Sequence, residues 1–415
     1  MSEEKLVPKL RFTVYSNDWF LEKLDNVCQF VRDGTHGSFK DVEIGIPLLS
    51  AKDIFDGKIN INENSRLISI DDYNTIHKNY ELTKGDILLT IVGTIGRTAM
   101  VNMDEKFTLQ RSVAILRVNE QISYNFLYYY IQTSAFQNRL KSVVNQSAQG
   151  GVYLNSLKKL NIKLTADMNE QNKISSFLSI IDKKIELLEQ KYQYYQEFKK
   201  YLMQQIFTQK LRFNFTDEWE KYLLGDISLI GKGFTPSTSN PSFWDGDLKW
   251  LSIADMNQGK YINQTTKKIT SDGSKNKEPV KKGTLLMSFK LSIGKLGILT
   301  EDMYTNEAIC NFKWKNKDVL TEYMYYYLSS INILKYGSQA AKGITLNNET
   351  LSTIPVLLPS LEEQKKIINI LSDVDMKINM LENSINDTSK FKKGLLQQMF
   401  IVQLILSLLQ NKKHI

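Results

Sequence analysis

The chain states one long pattern twice. Leu10-Arg11-Phe12 returns as Leu211-Arg212-Phe213, Lys84-Gly85 as Lys282-Gly283, and Ile95-Gly96 as Ile293-Gly294. Tyr128-Tyr129-Tyr130 returns as Tyr325-Tyr326-Tyr327, and Glu170-Gln171 with Lys173-Ile174 returns as Glu363-Gln364 with Lys366-Ile367. Leu202, Gln204, Gln205 and Phe207 return as Leu395, Gln397, Gln398 and Phe400, and the offset drifts from 201 to 193 residues. A solenoid repeats every ~20–50 residues, whereas this is a duplication of about half of a 415-residue chain. The molecule is therefore expected to be two versions of one module related by a pseudo-two-fold axis, an arrangement suited to a target in two parts.

Each copy has a strand-rich part and a helical part. Lys84-Gly85-Asp86 is a turn signal ahead of the run Ile87-Leu88-Leu89-Thr90-Ile91-Val92, and Lys282-Gly283-Thr284 precedes Leu285-Leu286-Met287-Ser288-Phe289. Each run meets a glycine, Gly96 or Gly294, and re-enters a strand-like stretch, which predicts hairpins. A helix is predicted over 125–140, matched by 321–334, with the tyrosine triplets inside. Tyrosines at one place on a shared helix read as core rather than as base-stacking platforms.

The helical part carries a heptad row. Ile174, Leu178, Ile181, Ile185, Leu188, Tyr192 and Tyr195 step by fours and threes, Lys199 interrupts, and Leu202 and Ile206 resume. Ile367, Leu371, Val374, Ile378, Leu381 and Ile385, then Thr388, Lys392, Leu395 and Met399, keep the same rhythm. This is a coiled-coil seam. Almost forty residues of it make roughly 55–60 Å of helix, and so long an amphipathic stripe must be buried. The two seams are each other's partners, which predicts an antiparallel pair with one globular domain at each end. Lys199 and Lys392 in seam slots read as snorkelling lysines; the alternatives are a loosened coil, a register device or a pair with an acid on a partner.

Composition narrows the class. A 415-residue chain with 42% apolar residues is a folded protein of two or more domains. A net charge of +8 favours polyanions such as nucleic acid. Cys28 and Cys310 stand at non-equivalent places and build neither a disulfide framework nor a zinc site, which fits a reducing cytoplasm. The polar start Met1-Ser2-Glu3-Glu4-Lys5 is no signal peptide, and the apolar stretch 401–409 is too short for the roughly 20 residues of a membrane span.

The doubled order of these features resembles the specificity subunit of type I restriction–modification systems, over nearly the whole chain. Arg32-Asp33-Gly34-Thr35-His36 resembles the Asp-Gly-Thr-His loop of that family's target recognition domains, and Ile46-Pro47-Leu48-Leu49-Ser50 with Lys52-Asp53-Ile54 its following strand. In the second copy Thr235-Pro236-Ser237, Trp244, Asp247, Trp250 and Asp255-Met256 form a variant without that loop. Ile354-Pro355-Val356 and Pro359, then Glu362-Glu363-Gln364, resemble the family's approach to its spacer helix; residues 165–171 are a weaker version. The resemblance implies an α+β fold: two β-rich target recognition domains (1–166 and 210–359) joined by two long antiparallel helices (167–209 and 360–409) forming a coiled coil, with a tail at 410–415. It implies a non-catalytic subunit that reads double-stranded DNA, one domain per half of a split asymmetric site. Two modification subunits would methylate adenine with S-adenosylmethionine, and two restriction subunits would use ATP and magnesium, all bound outside this chain.

The residues offer no catalytic motif. Asn240-Pro241-Ser242-Phe243-Trp244 lacks the second proline of an adenine methyltransferase loop and reads as a turn ahead of a packed tryptophan. There is no Gly-x-x-x-x-Gly-Lys-Ser/Thr phosphate loop. Val92-Gly93-Thr94-Ile95-Gly96-Arg97 reads as a hairpin, and His36, His77 and His414 have no metal-ligand spacing. Bases are read by Arg and Lys on guanine and Asn and Gln on adenine, with Ser and Thr on several edges, and loops are where such groups vary over a fixed scaffold. The candidates in the first copy are Arg32, Thr35, His36, Lys40, Thr94, Arg97, Gln110, Arg111, Gln146 and Gln149. In the second they are Lys232, Thr235, Ser237, Asn240, Lys290, Ser292, Lys295, Asn306, Gln339, Lys342 and Asn347. The alternative for His36 is a histidine bonding its own turn.

Tyr192, Tyr194, Tyr195 and Phe198 spread aromatic surface beyond one seam, which implies a further partner. The tail Ile401, Val402, Leu404, Ile405, Leu406, Leu408 and Leu409 continues past the point where the family usually stops, either as extra turns packed on the first domain or as a frame-altered end. Two other readings compete with DNA recognition: a self-contained DNA-modifying enzyme, and a coiled-coil spacer displaying two protein-binding domains.

Overall fold

The computed structural model describes residues 4–145, 150–290, 292–340, 343–400 and 402–406. The two heptad rows form continuous helices of 40 residues each, Met168–Phe207 and Leu361–Phe400. The second stops short of the expected 409. Val402–Leu406 instead pairs as an antiparallel strand with Glu4–Pro8, in register from Glu4↔Leu406 to Pro8↔Val402. A segment apolar on nearly all sides has little polar face to offer as a surface helix, and a strand pair satisfies its backbone. Among the described residues no helix is long and apolar enough to cross a membrane.

The chain divides into two compact units, Met1–Leu188 with Asn383–Ile415 and Glu189–Glu382. The division falls inside both long helices, so each unit holds its own strand-rich part, one end of its own helix and one end of the other. In the first unit Trp19 donates to Glu170 near the start of the first helix (3.4 Å) and packs edge-on against Phe400 at the end of the second, while Lys392 reaches Asp182 at 2.6 Å. Moving up one helix thus moves down the other, and the segments are antiparallel. In the second unit Trp219 donates to Glu363 (3.0 Å), Phe207 packs on Tyr323 beside that tryptophan, and Lys199 reaches Asp375 at 2.6 Å. The helix segments of this unit are antiparallel too.

The seam supplies core at both ends. Ile174, Leu178 and Ile181 are buried with Leu395, Met399 and Phe400 against Trp19, Phe126 and Ile162. Ile367, Leu371 and Val374 are buried with Leu202, Ile206 and Phe207 against Trp219, Phe312 and Val356. Leu381 is buried too, while Ile185, Leu188 and Ile378 are half-buried.

Each strand-rich part is built on one antiparallel ladder. In the first unit the order is Cys28–Asp33, Val113–Val118, Ile87–Thr90, Thr98–Met100. In the second it is Ser228–Lys232, Ile309–Trp314, Leu285–Ser288, Leu296–Leu299, with Tyr261–Ile262 added in parallel. The expected hairpins are the last antiparallel pair of each ladder, Ile87–Thr90 with Thr98–Met100 and Leu285–Ser288 with Leu296–Leu299. The predicted tyrosine helices are shorter than expected. Tyr124–Ile131 ends at Gln132, and Thr133 caps a second helix, Ser134–Ser142, by accepting from Phe136 N (3.3 Å). Thr321–Ser330 likewise gives way to the 3-10 turn Ile333–Tyr336. A Ser or Thr cap starts a new helix by taking up an orphan N–H, which periodicity alone does not reveal. The tyrosines are core, as expected: Tyr128, Tyr129, Tyr130, Tyr326 and Tyr327 are buried.

The repeated Glu-Gln phrase is the joint between strands and helix. Glu170, fully buried, accepts from Arg11 Nε and Nη2 at 2.6 and 2.8 Å. Glu363 accepts from Arg212 in the same way, at 2.8 and 3.0 Å. Gln171 holds Ser123 N and Thr165 O; Gln364 holds Leu320 N and Pro359 O. The repeated Leu-Arg-Phe phrase is seated against a helix end in each unit: Leu10 N donates to Gln398 O (2.9 Å) and Leu211 N to Gln205 O (3.1 Å).

The seam lysines do more than snorkel. Lys392 meets Asp182 and lies over the Tyr129 ring (5.4 Å), and Tyr129 donates to Asp182 at 2.8 Å. Lys199 meets Asp375 and the Tyr326 ring (5.5 Å), and Tyr326 donates to Asp375 at 2.7 Å. Burial and the neighbouring carboxylate push both tyrosines up, so each stays a donor. Lys392→Met leaves Asp182 without its cation, and a loss of about 1–2 kcal/mol is expected. Thermal denaturation measures it, with the exposed Lys393→Met as control; equal midpoints would mean the pair contributes nothing.

Candidate nucleic-acid interface

The polar loops of the first unit are sewn together at a glycine. Strand Cys28–Asp33 runs into Gly34-Thr35-His36, where Gly34 N donates to Val113 O (3.1 Å), Thr35 N to Leu109 O (2.7 Å), and Arg111 N to Thr35 O (3.0 Å). A Cβ on Gly34 would lie 2.1 Å from Leu109 O, so only glycine allows the approach. The stitch places Arg32, Thr35 and His36 beside Gln110 and Arg111. The second unit repeats it without the Asp-Gly-Thr-His wording. Gly233 N donates to Ile309 O (3.1 Å) and Phe234 N to Thr305 O (2.8 Å), and a Cβ on Gly233 would lie 2.0 Å from Thr305 O. Here Lys232 and Thr235 come beside Asn306.

The two hairpin tips also correspond. Gly96 (φ +93) and Gly294 (φ +89) turn the chain in the left-handed region open to glycine. Thr90 Oγ1 accepts Arg97 N (2.9 Å), and Ser288 Oγ accepts Lys295 N (3.0 Å). Thr94, Lys290 and Ser292 are exposed. Arg97 reaches Ile54 O at 3.5 Å, and Lys295 reaches Asn257 Oδ1 at 2.8 Å.

Several candidates are committed to their own loops. His36 Nε2 sits 2.7 Å from Asp33 Oδ2, bonding its own turn. Asn306 uses both ends of its amide, Nδ2 to Thr235 (2.9 Å) and Oδ1 from Ala308 N (2.8 Å), and the Thr235 hydroxyl also meets Glu307. Asn240 caps the turn Pro241–Phe243 ahead of Trp244, which packs edge-on against Trp250 at 5.1 Å, so that segment is the turn before a packed tryptophan. Asn347 caps Asn348–Ser352 through Thr350 N (2.8 Å). Ser237 Oγ pairs with Ser239 Oγ (2.8 Å), Lys40 is exposed, and Gln339 lies on strand Ser338–Ala340. Gln146, Gln149 and Lys342 lie outside the described residues.

Sequence reasoning missed the wall opposite the glycine loop. Phe30, Arg32, Thr35, His36, Tyr80 and Arg117 line a cleft of about 570 Å³. Arg32 lies over the Tyr80 ring at 3.5 Å, and Arg117 grips Asp86 at 2.8 and 2.7 Å. Burial pushes the neighbouring His77 towards its neutral form. Tyr80 follows a short helix, Ile70–Ile76, and no local pattern ties it to residue 32. Burial raises the Cys28 and Cys310 thiols to about 12, away from the thiolate form. Among the described residues no three or more His, Cys, Asp or Glu side chains gather as a metal site.

Two copies of one frame, each presenting a different polar loop set from the same stitched position, define a two-headed recognition protein. The chain belongs to the type I restriction modification DNA specificity domain family, whose domain matches residues 18–194 and again 216–388. It is 30% identical over 175 residues to the type I restriction enzyme MjaIX specificity subunit of Methanocaldococcus jannaschii, covering 40% of this chain and 39% of that protein. To the putative type I restriction enzyme MjaX specificity subunit of the same organism it is 24% identical over 408 residues, 91% of this chain and 92% of that one. Its fold is similar to the crystal structure of a type I restriction–modification S subunit from M. genitalium, with a TM-score of 0.59 and 16% identity over 95% of this chain and 99% of that one.

Proposed function

We infer that this chain is the DNA sequence-recognition subunit of a type I restriction–modification complex and is itself non-catalytic. The observation that carries the reading is the paired stitch at Gly34 and Gly233, one frame bearing unlike side chains: Arg32, Gln110 and Arg111 in the first unit, Lys232 and Asn306 in the second. Each domain reads one half of a split, asymmetric site. Phosphate contacts by exposed cations such as Lys40, Arg111 and Lys232 position the duplex, and base contacts specify it.

Apolar surface left over on the helices supports a scaffolding role. Ile180, Leu187 and Phe391 are exposed in the first unit, and Tyr194, Tyr201, Met376 and Met380 in the second. Exposed apolar patches mark protein partners, and two modification subunits, one on each similar face, are the partners assigned to them. S-adenosylmethionine, ATP and magnesium belong to the modification and restriction subunits, in the cytoplasm.

The test is methylation of DNA in vitro. The chain alone, with S-adenosylmethionine, is expected to transfer no methyl groups. With its modification subunit it is expected to direct methylation to one bipartite motif, with binding that weakens steeply as salt rises. Transfer by the chain alone, or methylation of the same motif without it, would overturn the reading.

A further inference from the structure

Arg11, Arg66, Arg97, Arg117, Arg139 and Arg212 each hydrogen-bond a carboxylate or a carbonyl. Arg32 and Arg111 have no side-chain hydrogen bond or ion pair among the described residues. Arg111 is exposed, where water serves it. Arg32 is recessed: its Nε is shielded from solvent with no acceptor, and its guanidinium carbon lies over the Tyr80 ring, 3.5 Å from the ring centre. Burying a charged donor without a partner is costly, so an unpaired arginine held this way is one whose acceptor arrives with the ligand. Stacking also fixes the plane of the fork in advance, which lowers the entropy lost when it binds.

The charges in the cleft indicate what arrives. Asp33 lines the cleft with Arg32, and Arg117 is already neutralised by Asp86. The Asp33 carboxylate repels a phosphate but tolerates a neutral, planar base edge. The edge that presents two acceptors to one guanidinium is the major-groove side of guanine, through O6 and N7. The second domain has no equivalent. In the first ladder Arg32 faces Ile115; in the second the corresponding pair is Gly231 facing Asn311.

We propose that the cleft between the Gly34 loop and Tyr80 takes the edge of a guanine in the half-site of the first domain, read by Arg32. This rests on the DNA-recognition reading above and adds a residue and a base to it. The experiment uses the full chain co-expressed with its modification subunit, with methylated motifs mapped across a host genome. Arg32→Gln and Arg32→Ala are expected to relax or change one guanine position in one half-site, by roughly 10- to 100-fold in relative methylation, and to leave the other half-site intact. Arg32→Lys, which keeps the charge but loses the fork, is expected to relax the same position partly.

A wild-type motif lacking guanine in either half-site overturns the proposal. So does an unchanged motif in Arg32→Ala, or uniformly weaker methylation with an unchanged motif, which is the behaviour of a phosphate contact. Total loss of methylation in all three variants, with unchanged melting curves, also counts against it. A wild-type complex that methylates without a bipartite motif would sink the recognition reading itself, which is a different result.

Discussion

Gly34→Ala is expected to end productive recognition of one half-site. The new Cβ would meet Leu109 O at 2.1 Å, Leu109 C at 2.4 Å and Gln110 O at 2.6 Å. All three are backbone atoms and cannot swing aside as a side chain could. Two segments must therefore part, and the Thr35–Leu109 and Arg111–Thr35 bonds go with the contact. Two backbone hydrogen bonds at about 1 kcal/mol each, with overpacking of about 1–3 kcal/mol, give about 3–5 kcal/mol at the loop. Carried into binding, that is a loss of roughly 100-fold or more. The measurement is the methylation rate of a cognate duplex by the assembled complex, with Gly233→Ala as the equivalent lesion in the second domain. A wild-type rate in Gly34→Ala would show that the stitch does not position the reading loop.

Glu170→Ala is expected to loosen the first unit and spare the second. The carboxylate is fully buried and holds Arg11 at two points and Trp19 at a third. Removing one partner of a buried pair leaves a charge without compensation and costs about 3–5 kcal/mol. Hydrogen exchange followed by peptide reads the two units separately. In Glu170→Ala, protection should fall across 1–164 and across 383–400 while 210–358 stays protected; Glu363→Ala should give the mirror result. Equal loss in both units, or none, would refute the assignment of the Glu-Gln phrase to the joint of its own unit.

Much of the frame was legible because it was written twice. Ile174, Leu178 and Ile181 share a helical period with Ile367, Leu371 and Val374, and both sets are core. The Gly96 and Gly294 hairpins were legible from a turn residue between strand runs. What was not legible depends on residues far apart in sequence. The ion pairs of Lys199 with Asp375 and Lys392 with Asp182 close only after antiparallel pairing, and neither lysine has a suitable local acid on its seam. The break at Thr133 hides inside an otherwise helical stretch because a capping threonine looks like any polar residue. The site was legible as loops and hardly as contacts. Asn306 and Asn347 have the chemistry of adenine readers, yet one braces Thr235 and the other caps a helix. Tyr80, which shapes the cleft around Arg32, carries no signal of its own.

Glu4–Pro8 lies beside Val402–Leu406, and Leu10 takes the place at the end of the second long helix that Leu211 takes at the end of the first. Leu10 and Leu211 thus sit at equivalent places in their own units. In the second unit the chain enters that place directly from its helix, through Gln209 in the left-handed region (φ +59) and Lys210; in the first, Leu10 comes to it from a segment remote in sequence from the helix. The first unit therefore cannot be completed until the chain has passed through the whole of the second.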